Sequence, residues 1–239
     1  MEQVEVNLAE CITLKMPELP YEINEELKVL RTNLQFCGVE KKVICVTSAV
    51  ASEGKSTTVL NLCRSIAEQQ KRVLLIDADL RRSVFRKKVK KGKLNYDLSH
   101  YLSGQCTAEQ AVSQTTLDGL DVIFTVVTPP NPSELLGSEL MKQMLDTMRQ
   151  QYDYIIIDCP PLGMVVDAAV IAQYCDGAII LISAGEVSYR AAQDVVRKME
   201  NTKCPVLGVV LNKVDRRKSG KYYGKYYGKY YGEKYGGYY

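Results

Sequence analysis

Glu53, Gly54, Lys55, Ser56 and Thr57 close the segment Thr47-Ser-Ala-Val-Ala-Ser-Glu-Gly-Lys-Ser-Thr57, which follows an apolar run and opens a helical stretch. A lysine and a hydroxyl at a strand-to-helix turn suit phosphate chemistry. Backbone N–H groups at the helix start point at anionic oxygens, the Lys55 ammonium neutralises β/γ charge, and the Ser56 hydroxyl reaches Mg²⁺. The loop is irregular, because Ala49 stands where the usual pattern has its first glycine. ATP with Mg²⁺ is the expected cofactor.

Two carboxylate motifs follow further apolar runs. Val73-Leu-Leu-Ile-Asp77-Ala-Asp79-Leu-Arg81 sets two acids after one run, and Tyr154-Ile-Ile-Ile-Asp158-Cys-Pro-Pro161 sets a third after another. Phosphoryl transfer needs an acid to hold the metal and an acid to orient or deprotonate the nucleophile. Strand-end aspartates are otherwise helix caps, but three of them behind a phosphate loop favour the metal site. Lys55, Asp77 and Asp79 are the catalytic candidates, and Ser56, Asp79 and Asp158 the metal candidates. Asp77 is assigned to the nucleophile's proton ahead of Asp79, and Asp158 to Mg²⁺ through water.

The elements that must hold these groups read as strands alternating with helices. Strands are expected over 42–47, 72–77, 121–126, 154–158, 177–183 and 206–212, and continuous apolar character means both faces are covered, as in a parallel sheet. Helices are expected over 57–70, 133–151, 165–174 and 188–201. Residues 21–36 form an amphipathic helix with Ile23, Leu27, Leu30 and Leu34 on its apolar face. The fold class is α/β: a doubly wound, mostly parallel sheet of P-loop NTPase type (ParA/MinD-like), helices on both faces, ligands at the carboxyl strand ends. Residues 1–20 read as a connector, 21–214 as the catalytic domain and 215–239 as a tail. The basic segment 81–93 reads as a solvated loop.

The tail carries nine of the sixteen tyrosines, at Tyr222, Tyr223, Tyr226, Tyr227, Tyr230, Tyr231, Tyr235, Tyr238 and Tyr239, and opens with three copies of Lys-Tyr-Tyr-Gly. With no Leu, Ile, Val or Phe to bury, it is expected to be disordered, and it offers many phosphate-accepting hydroxyls. Net charge is +3 overall, but seven Lys/Arg and one Glu from Arg216 onward leave the preceding residues at −3. A basic tail fits an acidic active-site rim of a neighbouring subunit as well as anionic lipid or nucleic acid. The eight cysteines are scattered with no CxxC, which fits buried, reduced thiols in a cytosolic protein. No signal peptide or membrane span is read. His100, the single histidine, excludes a His-based triad and is expected to be structural.

Together these residues resemble the bacterial tyrosine kinases of capsule and exopolysaccharide assembly, specifically the cytoplasmic kinase component of firmicute-type systems. The resemblance runs from about residue 20 to the end. It rests most on 47–57, 75–81, Pro129-Pro-Asn-Pro-Ser-Glu-Leu-Leu136, 153–161 and the terminal tyrosines. It implies that Gly54–Thr57 correspond to Walker A, Asp77 and Asp79 to the second acidic motif, Asp158 to Walker B and Asn212 to the adenine side. It further implies autophosphorylation of the tail in trans, a homo-oligomeric ring, a transmembrane modulator that recruits the chain to the inner face of the plasma membrane, and a cognate tyrosine phosphatase. No nucleic-acid partner is implied. The chain departs from the family in having Ala51-Ser52 where Pro-Gly is common, expected to stiffen the loop without removing its donors. The oligomerisation motif Glu-x-x-Arg-x-x-Arg appears as Glu25, Lys28 and Arg31, and Lys28 loses the bidentate fork of arginine.

Two other readings compete. A ParA/MinD-type partition or positioning ATPase usually carries a signature lysine five residues before the loop lysine, where this chain has Val50. A non-catalytic phosphotyrosine adaptor would have no use for Lys55, Asp77, Asp79 and Asp158 together. Eukaryotic-type kinases are excluded by the missing GxGxxGxV, His-Arg-Asp and Asp-Phe-Gly signatures.

Overall fold

The computed structural model describes residues 11–215. Among the described residues are nine strands: β1 Thr13–Leu14, β2 Val43–Ser48, β3 Val73–Asp77, β4 Val89–Lys91, β5 Ser113–Gln114, β6 Leu120–Ile123, β7 Tyr154–Asp158, β8 Gly177–Ser183 and β9 Val206–Asn212. Eight α-helices lie among them: α1 Tyr21–Phe36, α2 Lys55–Ala67, α3 Leu98–Leu102, α4 Ala108–Ala111, α5 Pro132–Leu136, α6 Glu139–Met148, α7 Asp167–Ala172 and α8 Tyr189–Glu200. Seven strands make one sheet in the order β5-β6-β3-β7-β2-β8-β9, parallel except for the short edge strand β5.

Successive residues of each central strand enter different cores, which is why the apolar runs do not alternate with polar residues. Ile44, Val46, Val73, Leu75 and Ile156 pack with α1, α2 and Phe85. Val43, Cys45, Leu74, Ile76, Ile155 and Ile157 pack with α3 through α8. The expected doubly wound α/β sheet with helices on both faces is what the chain forms.

Several boundaries differ from expectation. The helix expected over 133–151 is two helices, because Gly137 closes α5 and the Ser138 hydroxyl accepts from Met141 N to cap α6. The basic segment 81–93 is not simply a solvated loop. Phe85 is fully buried and stacks on Phe124 with ring centroids 5.0 Å apart, and Val89–Lys91 pairs antiparallel with Thr13–Leu14. The connector expected over 1–20 is correspondingly packed in its described half: Ile12 is buried and exchanges backbone hydrogen bonds with Gln114 and Thr116.

Leu27 and Leu34 of α1 are buried and Leu30 is half-buried, but Ile23 is exposed, so the apolar face is shorter than its spacing suggests. Arg31 donates to Ser65 O at 2.6 Å and Ser65 Oγ at 3.0 Å, fastening α1 to α2 within one subunit. Lys28 pairs at 2.7 Å with Glu25 on the exposed side. His100 hydrogen-bonds through Nδ1 to Asp97, whose carboxylate also accepts from Val126 N and Val127 N, a structural arrangement. The tail tyrosines lie outside the described residues.

Candidate active site

The strand order makes the site. With β7 lying between β3 and β2, Asp158 stands in register with Asp77 on one side and Val46 on the other. Neighbouring strands run about 4.8 Å apart, so both aspartates and the loop after β2 meet at one carboxyl edge. This is where a doubly wound sheet takes ligands.

The loop is held open by contacts at its base. Thr47 Oγ1 donates to Pro160 O at 2.8 Å and accepts from Leu162 N at 3.0 Å. Gly163 lies so close to Ala49 that a Cβ there would collide with the Ala49 carbonyl. Gly54 is left-handed at φ 88°, and a Cβ on it would strike Asn212 Nδ2, so this glycine answers both a backbone and a space requirement. Helix α2 then starts at Lys55 with no side-chain cap. Its first N–H groups thus lack a protein partner of that kind, and phosphate oxygens satisfy such donors.

Ser52 also adopts a positive φ, 66°, at the position where the resembled family commonly has glycine. The hydroxymethyl side chain is exposed, so the serine adds backbone strain rather than only stiffness. Ser52→Gly is expected to raise stability by about 0.5–1 kcal/mol, the left-handed penalty less glycine's extra entropy. Thermal unfolding of the two chains checks this; a lower Tm for the glycine variant would contradict it.

Lys55 and Asp158 form the centre. Lys55 Nζ lies 2.6 Å from Asp158 Oδ1, and Ser56 Oγ donates to Asp158 Oδ2 at 2.5 Å. Both side chains of the ion pair are almost wholly buried. Burial works to lower the Lys55 pKa, but the charge and hydrogen bond of Asp158 outweigh it and hold it raised. Burial pushes the Asp158 carboxyl up against the pull of Lys55 and Ser56, so the pair carries a desolvation cost.

Asp77 is fully buried, accepting from Ser83 Oγ, from Asp79 N at 3.2 Å and from Thr125 N at 3.4 Å. Burial first, then the charge of Asp158, pushes its pKa up to about 8. Asp79 is half-buried and accepts from Arg82 N at 2.9 Å. Of the two acids it is therefore the more open. Thr57 is exposed on the first turn of α2.

Glu53 and Asn212 are placed differently from the other candidates. The Glu53 carboxylate is buried and accepts from Val50 N at 2.8 Å and Ser183 N at 2.7 Å. Its side chain therefore shapes the loop from inside, which leaves the backbone of Glu53 as the part that could meet a nucleotide. Asn212 Nδ2 donates to Glu53 O at 2.8 Å and so braces the same loop from β9. Ser83 and Thr125 were not singled out by sequence reasoning, since neither belongs to a spaced motif.

The donor set fits Mg²⁺ carried with a nucleotide. Among the described residues no three His, Cys, Asp or Glu side chains converge to hold a metal unaided. Mg²⁺ binds through one or two carboxylates, with phosphates and waters filling its other positions, and all the groups offered here are hard oxygens. Ser56, Asp158 and Asp79 are the residues that would hold it.

This is the architecture of the P-loop NTPases, and residues 41–206 match the family described as AAA domain. The septum site-determining protein MinD of Pyrococcus horikoshii, solved with Mg-ADP, shares the fold at a TM-score of 0.65 and 22% identity over 73% of this chain and 71% of that one. Nearer relatives narrow the class. Tyrosine-protein kinase CpsD of Streptococcus agalactiae serotype III is 39% identical over 191 residues, which make up 80% of this chain and 82% of that one. The kinase domain of Escherichia coli tyrosine kinase ETK superposes with a TM-score of 0.78 at 28% identity, covering 87% of this chain and 90% of the other. The chain belongs to the bacterial tyrosine-protein kinase family.

Proposed function

We propose that this protein transfers the γ-phosphoryl group of ATP to tyrosine hydroxyls, first of all to those of its own residues 222–239 in a neighbouring copy. One observation carries the reading: Lys55, Ser56, Asp158 and Asp77 come together at three adjacent strand ends in a chain of tyrosine-kinase ancestry. In the transfer the phenol oxygen bonds to the γ-phosphorus, its proton passes to a carboxylate, and the bond from the γ-phosphorus to the β-bridging oxygen breaks to release ADP. Mg²⁺, when bound with ATP, neutralises phosphate charge. The α2 amides and Lys55 bind and orient the phosphates, and Ser56, Asp79 and Asp158 hold the cation's place. Asp77 takes the proton. In the resting site burial pushes the pKa of this carboxyl up to about 8, so it must be ionised before it can accept, which the charge of a bound cation would favour. Once ionised it is a stronger base toward a phenol of pKa about 10 than an ordinary carboxylate.

The family supports the wider setting: regulation of capsule and exopolysaccharide synthesis, with a transmembrane modulator completing activity, a phosphatase reversing it, and subunits in a ring. No helix among the described residues is long and apolar enough to cross a membrane, so a membrane-anchored partner would place the chain at the inner face. The exposed apolar residues Val29 and Phe36 on α1 suit packing between copies. A positioning ATPase is the second reading, but Val50 gives no cation where those proteins use one.

Transfer between subunits is tested by mixing a Lys55→Met chain with an active chain ending at Asp215, in labelled ATP and Mg²⁺. The expected result is label on the tail of the Lys55→Met chain, rising with the concentration of the active one. An unlabelled tail there, with the full-length chain labelling itself, would refute transfer in trans. ATP hydrolysis without any phosphotyrosine would favour the positioning ATPase.

A further inference from the structure

Arg81 ends the second acidic motif, and its guanidinium is taken up by side chains of two other elements. Nε donates to Asp167 Oδ2 at 2.7 Å and Nη2 to Asp167 Oδ1 at 3.0 Å. Ser133 closes the arrangement, donating to Asp167 Oδ1 at 2.6 Å and accepting from Arg81 Nη2 at 3.0 Å. The Asp167 side chain is fully buried at the first position of α7, and Ser133 sits in the first turn of α5. Three segments from separate parts of the chain are thus joined by one two-pronged pair, the geometry that fixes direction as well as distance.

The segment fixed in this way carries Asp79. Ala78 and Leu80 are fully buried on either side of it, and Ala78 N donates to Asp158 O at 2.9 Å. Asp79 therefore lies on a short span anchored at Asp158 before it and at the Arg81 clamp after it. Among the described residues its carboxylate accepts one hydrogen bond, from Arg82 N, so its direction depends on the backbone that carries it. Asp167 also takes a hydrogen bond from its own backbone N–H at the start of α7, but a helix cap alone would not need a guanidinium from another strand end. Burial acts to raise the Asp167 pKa, but the Arg81 and Ser133 hydrogen bonds hold it below the usual carboxylate range, so the pair stays charged.

We propose that Asp167, assisted by Ser133, is a positioning residue that aims Asp79 at the nucleotide-bound cation through Arg81. The proposal rests on the kinase reading for its consequence in catalysis but not for its test. Residues that orient a metal-holding carboxylate from behind typically cost 10–100-fold in metal affinity or activity when changed. Asp167→Asn keeps the shape and removes the charge; Arg81→Lys keeps the charge and removes the fork.

The experiment titrates Mg²⁺ against binding of a fluorescent ATP analogue to the full chain, with circular dichroism confirming the fold. Both variants are expected to need about tenfold more Mg²⁺ for half-saturation, with metal-free analogue binding nearly unchanged. The double variant should be no worse than either single one, because all three break the same link. Ser133→Ala, which leaves the charged pair intact, should shift the midpoint in the same direction by less, and it serves if Asp167→Asn does not fold. An unchanged Mg²⁺ midpoint in folded Arg81→Lys and Ser133→Ala chains, with only Tm lowered, would overturn the proposal by showing a purely structural clamp. A normal Mg²⁺ midpoint in the wild-type chain with no tyrosine labelling would sink the kinase reading instead, and the two failures are distinct.

Discussion

Lys55→Met is expected to lower phosphoryl transfer by about 10³-fold, the scale for removing one group that stabilises transition-state charge. The same change should also destabilise the protein without nucleotide. In the resting structure Lys55 is the only cation facing the buried Asp158 carboxylate among the described contacts, at 2.6 Å. Breaking a buried pair from one side costs about 3–5 kcal/mol because the remaining charge is stranded. Loss of the ammonium removes a lowering influence on Asp158, so its pKa rises further and its native state gains affinity for a proton. The variant's deficit should therefore shrink as pH falls, since protonation neutralises the stranded group. Urea unfolding at pH 8 and pH 5.5 measures this. Lys55→Met/Asp158→Asn, which removes both charges, should recover part of the loss. A Lys55→Met chain as stable as wild type at pH 8 would mean that the pair forms no net link in the resting protein.

Asp77→Asn should reduce transfer by about 10²–10⁴-fold, the contribution of a positioned proton acceptor, while nucleotide binding changes only a few-fold. Loss of binding instead would mark Asp77 as chiefly a metal ligand. A second effect follows from its burial. The native carboxyl keeps its proton up to about pH 8, whereas the unfolded chain loses it near pH 4. Between those values the native state binds the extra proton, so stability without nucleotide falls as pH rises from about 4 to about 8 and levels off above. Asparagine cannot titrate, so the variant's curve should be flatter over that window. Equal slopes for the two chains would show that Asp77 is already ionised in the resting site.

The motifs were legible because each lies within one short segment. A phosphate loop needs a strand, a turn and a helix start in sequence, and Val43–Ser48 followed by Lys55–Ala67 supplies them in order. The strands were legible because a sheet covered on both faces demands apolar residues at every position, a local pattern. What a local pattern does not carry is lateral order. Nothing in Tyr154–Asp158 says that it inserts between β3 and β2 rather than at an edge, yet that insertion alone brings Asp158 against Lys55 and beside Asp77.

The same reason explains the residues that went unread. Arg81 meets Ser133 and Asp167 across 52 and 86 residues of chain, and Glu53 turns inward to an amide 130 residues away. Phe85 disappears from solvent inside a basic segment because Phe124 and the edge pair β1–β4 cover it. The sequence by itself determined which groups could bind a phosphate and which runs must be buried, since propensity and periodicity act within a few residues. Only the tertiary structure decided which carboxylate is buried, paired or half-open, because solvation and charge depend on neighbours that the chain brings together from far apart.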